Sequence, residues 1–229
     1  MNKPPKTTMQ KHLVDIIILR FNTPDYDVEC VRGIIENTVY PTYQITLFDN
    51  YGPRFPLSEI WNMLIDKSFG EYICLLNNDT FPRPYWLRRM IEVFEKEEDV
   101  GVVGPSTNQC HSPQKVKAPF DSYAIVDFEK TYGKTFQLSG FCLLFPKDIW
   151  VEVGGFDENF GFYAQENEFL HRVQMLGYGT LWRKDAYVWH AGEASVRKEA
   201  EKEGLDIAEE RKRGNVLYQE ALRRDGFGS

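Results

Sequence analysis

The segment Tyr72-Ile73-Cys74-Leu75-Leu76-Asn77-Asn78-Asp79-Thr80 passes without transition from apolar side chains to amides and a carboxylate. Five apolar residues behind Gly70-Glu71 describe a strand buried on both faces, and that pattern belongs to a parallel sheet. Open parallel sheets bind ligands beyond the carboxyl ends of their strands. Asp79 therefore stands where a carboxylate can hold a divalent cation against a phosphate. The plainer alternative is that Asn-Asp-Thr only turns the chain after a strand.

The same punctuation recurs upstream. Residues 14–19, with Ile16-Ile17-Ile18 at their centre, predict a strand that ends in Arg20-Phe21-Asn22-Thr23-Pro24. Val28, Val31, Ile34 and Ile35 have helical spacing and predict a helix over 27–38, with Pro41 beyond it. Residues 44–48 predict a second strand, ending at Asp49-Asn50, and 57–67 a helix that leads through Gly70 into the strand at 72–76. Such alternation implies right-handed crossovers and a parallel sheet whose polar strand ends share one edge.

Beyond Asp79 the pattern predicts an amphipathic helix over 85–96 and a short strand over 101–105. Residues 106–136 read as a long irregular stretch that shapes a substrate site. A strand over 141–145, a helix over 167–176 that stops at Gly177, and a short strand over 186–189 ending in His190 follow. The charge-rich residues 195–224 carry enough apolar positions for one or two surface helices. The expected organisation is a flexible arm over 1–12, one α/β domain over 13–194 and a helical extension over 195–229.

Composition narrows the function classes. The 229 residues carry a formal charge of -7, which argues against broad nonspecific binding to a phosphate backbone. Aromatic residues reach 14%, suited to stacking a base or sugar although most must be core. Cys30, Cys74, Cys110 and Cys142 are scattered, with neither zinc spacing nor a disulfide framework. No apolar stretch approaches the ~18 residues of a membrane span, and the basic N-terminus lacks the apolar core of a signal peptide. The expected location is cytoplasmic.

Asp49 and Asn50 end the second strand, Asp79 ends the third, Gln165-Glu166-Asn167-Glu168 opens a helix and His190 ends a late strand. In this order the chain resembles the GT-A fold glycosyltransferases, particularly the family 2 and rhamnosyltransferase-like nucleotide-sugar enzymes, over about residues 14–195. Phe21-Asn22 matches the family's Tyr-Asn-like pair, Asp49 its base-reading acid, and Asn77-Asn78-Asp79 its Asp-x-Asp motif with the first carboxylate replaced. Leu138-Ser139-Gly140-Phe141-Cys142-Leu143-Leu144 followed by Gly154-Gly155-Phe156-Asp157-Glu158 resembles the acceptor-side strand and its turn. The resemblance implies a Rossmann-like, mostly parallel sheet flanked by helices and metal-dependent transfer from a nucleotide-diphosphate sugar, with inversion.

Within that resemblance Asp79 and His190 are the expected metal ligands. Phe21, Asn22, Asp49, Asn50, Arg54, Asn62, Asn77 and Asn78 fall on the donor side, and Ser139, Gly140 and Glu168 on the acceptor side. Aligned without gaps through Arg172 and Gly177-Tyr178, Gln165 takes the place of the family's Glu and Glu166 that of its base. A one-residue slip would put Asn167 in the base position and leave Glu168 as the nearest spare carboxylate.

The residue types suit the chemistry. Mg²⁺ or Mn²⁺ neutralises a leaving diphosphate, and an imidazole ligand favours Mn²⁺. A carboxylate at a helix start takes the acceptor proton, and the helix dipole is expected to keep it ionised. The acceptor is open between a glycan, a lipid-linked glycan, a protein and a modified nucleobase. Two other functions compete: a noncatalytic nucleotide-sugar-binding module, and a sugar nucleotidyltransferase, which would use a Gly-rich phosphate loop where this chain has Arg20-Phe21-Asn22-Thr23-Pro24.

Overall fold

The computed structural model describes residues 12–21, 23–50, 56–110, 112–116, 132–134, 137–192 and 206–226. Strands β1 (Val14–Arg20), β2 (Tyr43–Asp49) and β3 (Tyr72–Asn77) are connected through helices α1 (Pro24–Asn37) and α2 (Leu57–Lys67). β1 lies between β2 and β3 and runs parallel to both. Its unbroken Val, Ile and Leu content fits a central strand covered on both faces. Side chains alternate along it: Val14, Ile16 and Ile18 pack with Ile34 and Trp86 in one core layer, Ile17 and Leu19 with Ile65 and Phe169 in the other.

The chain continues through β4 (Thr80–Pro82), α3 (Trp86–Lys96), β5 (Val100–Ser106), β6 (Tyr132–Lys134), β7 (Cys142–Pro146), α4 (Lys147–Val153), α5 (Gln165–Met175), β8 (Gly179–His190) and α6 (Ile207–Arg224). The strand order is β2-β1-β3-β7-β5-β8-β4, with β6 on β8. Parallel pairing joins β1 to β2 and β3, and β5 to β8; β7 reverses between β3 and β5. Arg20 pairs with Asp49 and Leu19 with Asn77, so the polar ends of the first three strands lie level at one edge.

The late strand departs most from expectation. It spans Gly179–His190 rather than four residues, because it follows β5 as far as Arg183, bulges, and resumes at Tyr187 opposite Ser106. The charged Lys184-Asp185 pair occupies the bulge, where no ladder position forces it inward. β4 was not foreseen: its three residues end in proline at the sheet edge, too short for a period to be read. α1 starts at Pro24, three residues earlier than the apolar spacing marks, because proline suits the first helical turn. Within the expected arm, 1–11 lie outside the described residues, but His12 is docked, its Nδ1 2.6 Å from Glu71 Oε2. Of the irregular stretch, 117–131 also lie outside them. No described helix is long and apolar enough to cross a membrane.

Candidate active site

Asn78 and Asp79 form the turn between β3 and β4, and β4 pairs antiparallel with β8 so that Thr80 faces His190. The Ala191 N–H donates to the Asp79 carbonyl at 2.9 Å, extending that pairing by one step. The ladder thereby brings His190 Nε2 to 3.3 Å from Asp79 Oδ1, with both residues buried. His190 Nδ1 lies 2.9 Å from the Gln109 carbonyl. A carbonyl only accepts, so Nδ1 carries the hydrogen and the neutral ring keeps its lone pair on Nε2.

Nε2 has no aligned hydrogen-bond partner among the described residues. The Asn108 side chain brackets the His190 backbone, accepting its N–H at 2.8 Å and donating to its carbonyl at 3.0 Å. Phe141 stacks on the imidazole at 5.3 Å between ring centres. Two electron-pair donors facing each other in a buried place, one oriented by a backbone carbonyl, fit a divalent cation. Among the described residues no third His, Cys, Asp or Glu joins them, so any further ligands would be oxygens of a bound molecule or water. Burial opposes charge on His190, but the interaction with Asp79 and the Gln109 carbonyl outweigh it and raise the imidazole above its usual value.

The second carboxylate is placed by a glycine. A Cβ on Gly140 would lie 3.3 Å from Glu166 Cγ and 3.4 Å from Cδ, so the bare backbone ahead of β7 leaves the space in which the Glu166 stem packs. The next residue, Phe141, accepts the Asn77 N–H at 2.9 Å and covers His190 with its ring. Asp79, His190, Phe141, Gly140 and Glu166 thus form one continuous wall.

Burial raises the Glu166 carboxyl above the usual range, opposed by a smaller backbone hydrogen bond. At the first turn of α5 desolvation thus works against the helix dipole, which favours the ionised form. A raised carboxyl is also a stronger base once it ionises. Its neighbour Gln165 is buried, and its Oε1 has no hydrogen-bond partner among the described residues.

On the donor side, Arg20 bridges Asp49 (Nη1 to Oδ1, 2.7 Å) and Asp27 (Nε to Oδ2, 3.0 Å). The Asp49 side chain is 49% exposed and remains accessible beside the guanidinium. Asn50 is buried and its N–H donates to the Arg20 carbonyl. Phe21 packs on the second core layer, and Asn77 is half-buried at the strand end. Asn22 and Arg54 lie outside the described residues.

Three expected site residues make their described contacts within the scaffold. Asn78 is buried and donates both amide hydrogens, to Thr23 Oγ1 at 2.8 Å and Asp27 Oδ1 at 2.7 Å, tying the end of β3 to the start of α1. Asn62 holds the Gly-Gly-Phe-Asp-Glu turn: Nδ2 donates to the Phe156 carbonyl and Glu158, and Oδ1 accepts from the Phe156 N–H and the Trp150 indole. Glu168 is buried against Arg172. Ser139 keeps its place through its N–H, which donates to Gln114 Oε1 at 2.7 Å. Sequence reasoning missed Arg20, Asn108, Gln109 and the open acceptor of Gln165. Arg20 had a signal, a cation at a strand end, whereas Asn108 and Gln109 sit in a stretch with no periodicity.

Glycosyl transferase family 2 matches residues 15–151. The chain is 23% identical to the O-antigen biosynthesis protein RfbC of Myxococcus xanthus, over 82% of this chain and 18% of that one. It is 22% identical to the glucosyl-dolichyl phosphate glucuronosyltransferase of Haloferax volcanii, over 53% of this chain and 43% of that one. The chain thus spans less than half the length of either relative. Among solved structures, the mannosyltransferase PcManGT from Pyrobaculum calidifontis, in complex with GDP-Man and Mn²⁺, superposes with a TM-score of 0.67 at 18% identity, over 94% of this chain and 65% of that one. GalNAc-T7 with UDP, GalNAc and Mn²⁺ gives 0.60 at 12% identity, over 78% and 43%. These are GT-A glycosyltransferases. The chain has that fold, and it is a member of glycosyl transferase family 2.

Proposed function

We propose that this glycosyltransferase moves a sugar from a nucleotide-diphosphate donor to an acceptor hydroxyl in one inverting displacement, with a divalent cation at Asp79 and His190. The observation that carries the reading is the 3.3 Å approach of the buried His190 Nε2 to Asp79 Oδ1, with Nδ1 held at the Gln109 carbonyl. The Mn²⁺ in PcManGT and GalNAc-T7 supports the same choice, and an imidazole ligand favours Mn²⁺ over Mg²⁺. When bound, the cation supplies positive charge against the negative charge that develops on the leaving diphosphate.

The chain's own groups do the rest. Asp49, braced by Arg20, contacts the nucleobase from the edge strand, and Asn77 faces the donor at the end of β3. Glu166, held against Gly140, takes the proton of the attacking hydroxyl on the acceptor side of the wall. Gln165 Oε1 offers that hydroxyl's neighbour an acceptor. The names of the two curated relatives, O-antigen biosynthesis and a glucosyl-dolichyl phosphate acceptor, support a glycan or lipid-linked glycan as the acceptor here.

A screen of nucleotide sugars by thermal shift, with Mn²⁺ and with chelator, tests the reading. One donor is expected to raise the melting temperature only with metal, and NMR of the transferred sugar to show inversion at its anomeric centre. Stabilisation by every donor equally with chelator present would remove the metal, and retention would remove the single displacement.

A further inference from the structure

Helix α6 contains a glycine, Gly214, in its interior, where the residue disfavours helix unless another backbone must come close. The close neighbour is Tyr163. A Cβ on Gly214 would meet the Tyr163 carbonyl oxygen inside contact distance, its carbonyl carbon at 2.9 Å and its Cβ at 3.2 Å. The Arg211 guanidinium lies over the Tyr163 ring, 5.1 Å from its centre. Further along, Asp225 Oδ2 approaches His171 Nε2 on α5 at 3.2 Å. At the other end Asp206 caps the helix, its side chain accepting from the Ala208 and Glu209 N–H groups.

Tyr163 is three residues before Glu166. The residue between it and α5, Ala164, is left-handed with φ 69°, a conformation that persists only where its surroundings hold it. The turn that aims Glu166 is therefore pinned from two sides, by Gly140 ahead of β7 and by Gly214 of α6.

We infer that α6 is a brace for the catalytic base, and that Gly214, seated on the Tyr163 backbone, is the positioning residue through which it acts. The inference rests on Glu166 being the base. Tyr218, one turn beyond Gly214, lies within electrostatic reach of Glu168 and Glu166; after burial, these two carboxylates raise its hydroxyl. Among the described residues Gly140, without a side chain, packs on Glu166, and Glu168 on the same helix is paired with Arg172.

The test uses the whole chain and Gly214→Ala, with the Glu166 carboxyl followed by carbon NMR and assigned through Glu166→Gln. The donor probes are GDP-mannose and UDP-glucose with Mn²⁺. In the variant the Glu166 titration is expected to fall towards the ordinary carboxylate value. Turnover of the probe that binds is expected to drop about tenfold, with its KM within about twofold, since only the transition-state interaction is lost. Val216→Ala, on the exposed face of α6, should change neither readout.

An unchanged Glu166 titration in folded Gly214→Ala overturns the brace, as does a parallel loss of donor affinity and turnover. If that variant does not fold, Asp225→Asn decides: release of the far end of α6 should move the Glu166 titration the same way, and no movement overturns the proposal. Failure of both nucleotide sugars to bind the unaltered chain counts against the proposed donor chemistry, while the Glu166 titration still reads the brace.

Discussion

Arg172 grips Glu168 with two nitrogens, Nε to Oε1 at 2.6 Å and Nη2 to Oε2 at 2.7 Å, and donates to the carbonyls of Val153 and Gly155 at 2.7 and 2.8 Å. One guanidinium therefore fastens the first turns of α5 to the end of α4. Two carboxylates two positions apart have opposite fates: Glu168 is paired within the scaffold, and Glu166 is half-buried beside Gly140 with no cation paired to it among the described residues. Replacing Glu168 by Gln should leave a half-buried guanidinium without its counter-charge and cost about 2 kcal/mol of stability. Denaturant unfolding checks this, and a variant as stable as the parent would contradict the structural role.

Glu166→Gln should do the reverse. Its raised folded pKa means that the stability linked to it is fully present below the ordinary carboxylate value of about 4.3 and lost as the pH rises through the raised value. The amide imitates the protonated form. The variant should therefore melt at or above the parent temperature at pH 7, converge with it in acid, bind donor and metal, and lose transfer by about a hundredfold or more. Lower melting at pH 7 together with full transfer would remove Glu166 as the base.

Asp79→Asn should abolish metal-dependent donor binding without unfolding the chain, because the amide keeps the turn and the backbone bond to Ala191. A hundredfold loss in rate corresponds to about 2.7 kcal/mol, within what one charged metal contact supplies. Unaltered metal dependence in a calorimetric titration would refute the assignment.

Manganese affinity should rise with pH. Proton and cation compete for the gap between His190 and Asp79, and the proton is held above the usual imidazole value. Without metal, the stability linked to His190 is complete below about pH 6.5 and is lost as the pH rises through its raised folded value. Titrating Mn²⁺ between pH 6 and 8.5 in the parent and in His190→Ala checks both signs, and a pH-independent affinity in the parent would refute the competition.

Asn62→Ala should destabilise the chain by about 2–3 kcal/mol, since it strands the Phe156 N–H and leaves the Phe156 carbonyl and Trp150 indole without their partner. Donor affinity should hardly change. Asp49→Ala should show the complementary pattern, weaker nucleotide binding with little change in rate at saturating donor, because a contact kept in ground and transition states is uniform binding.

The parallel core was legible because β1 and β3 are continuous apolar runs with polar ends, and the helix at 57–67 because its apolar spacing coincides with its bounds. Asp79 and His190 could be singled out one by one, each at a strand end. Their partnership rests on the three residues of β4, too few to carry a pattern, and on a strand that bulges at Lys184-Asp185. Asn62 and Asn78 show the opposite case. An amide at a strand end or on a helix face looks the same in sequence whether it meets a ligand or ties two loops together, and only the four partners of Asn62 distinguish the cases.

The bond from the Ala191 N–H to the Asp79 carbonyl has a use beyond architecture. It is a single exchangeable proton that closes the ladder at the point where Asp79 and His190 meet. Its exchange with solvent deuterium waits on β4 opening from β8, so one amide resonance serves as a clock for how firmly the pair stays assembled. A slow clock without metal would mean that the site waits ready-made for its donor; a clock that slows only on adding Mn²⁺ would mean that the cation itself stitches the edge of the sheet.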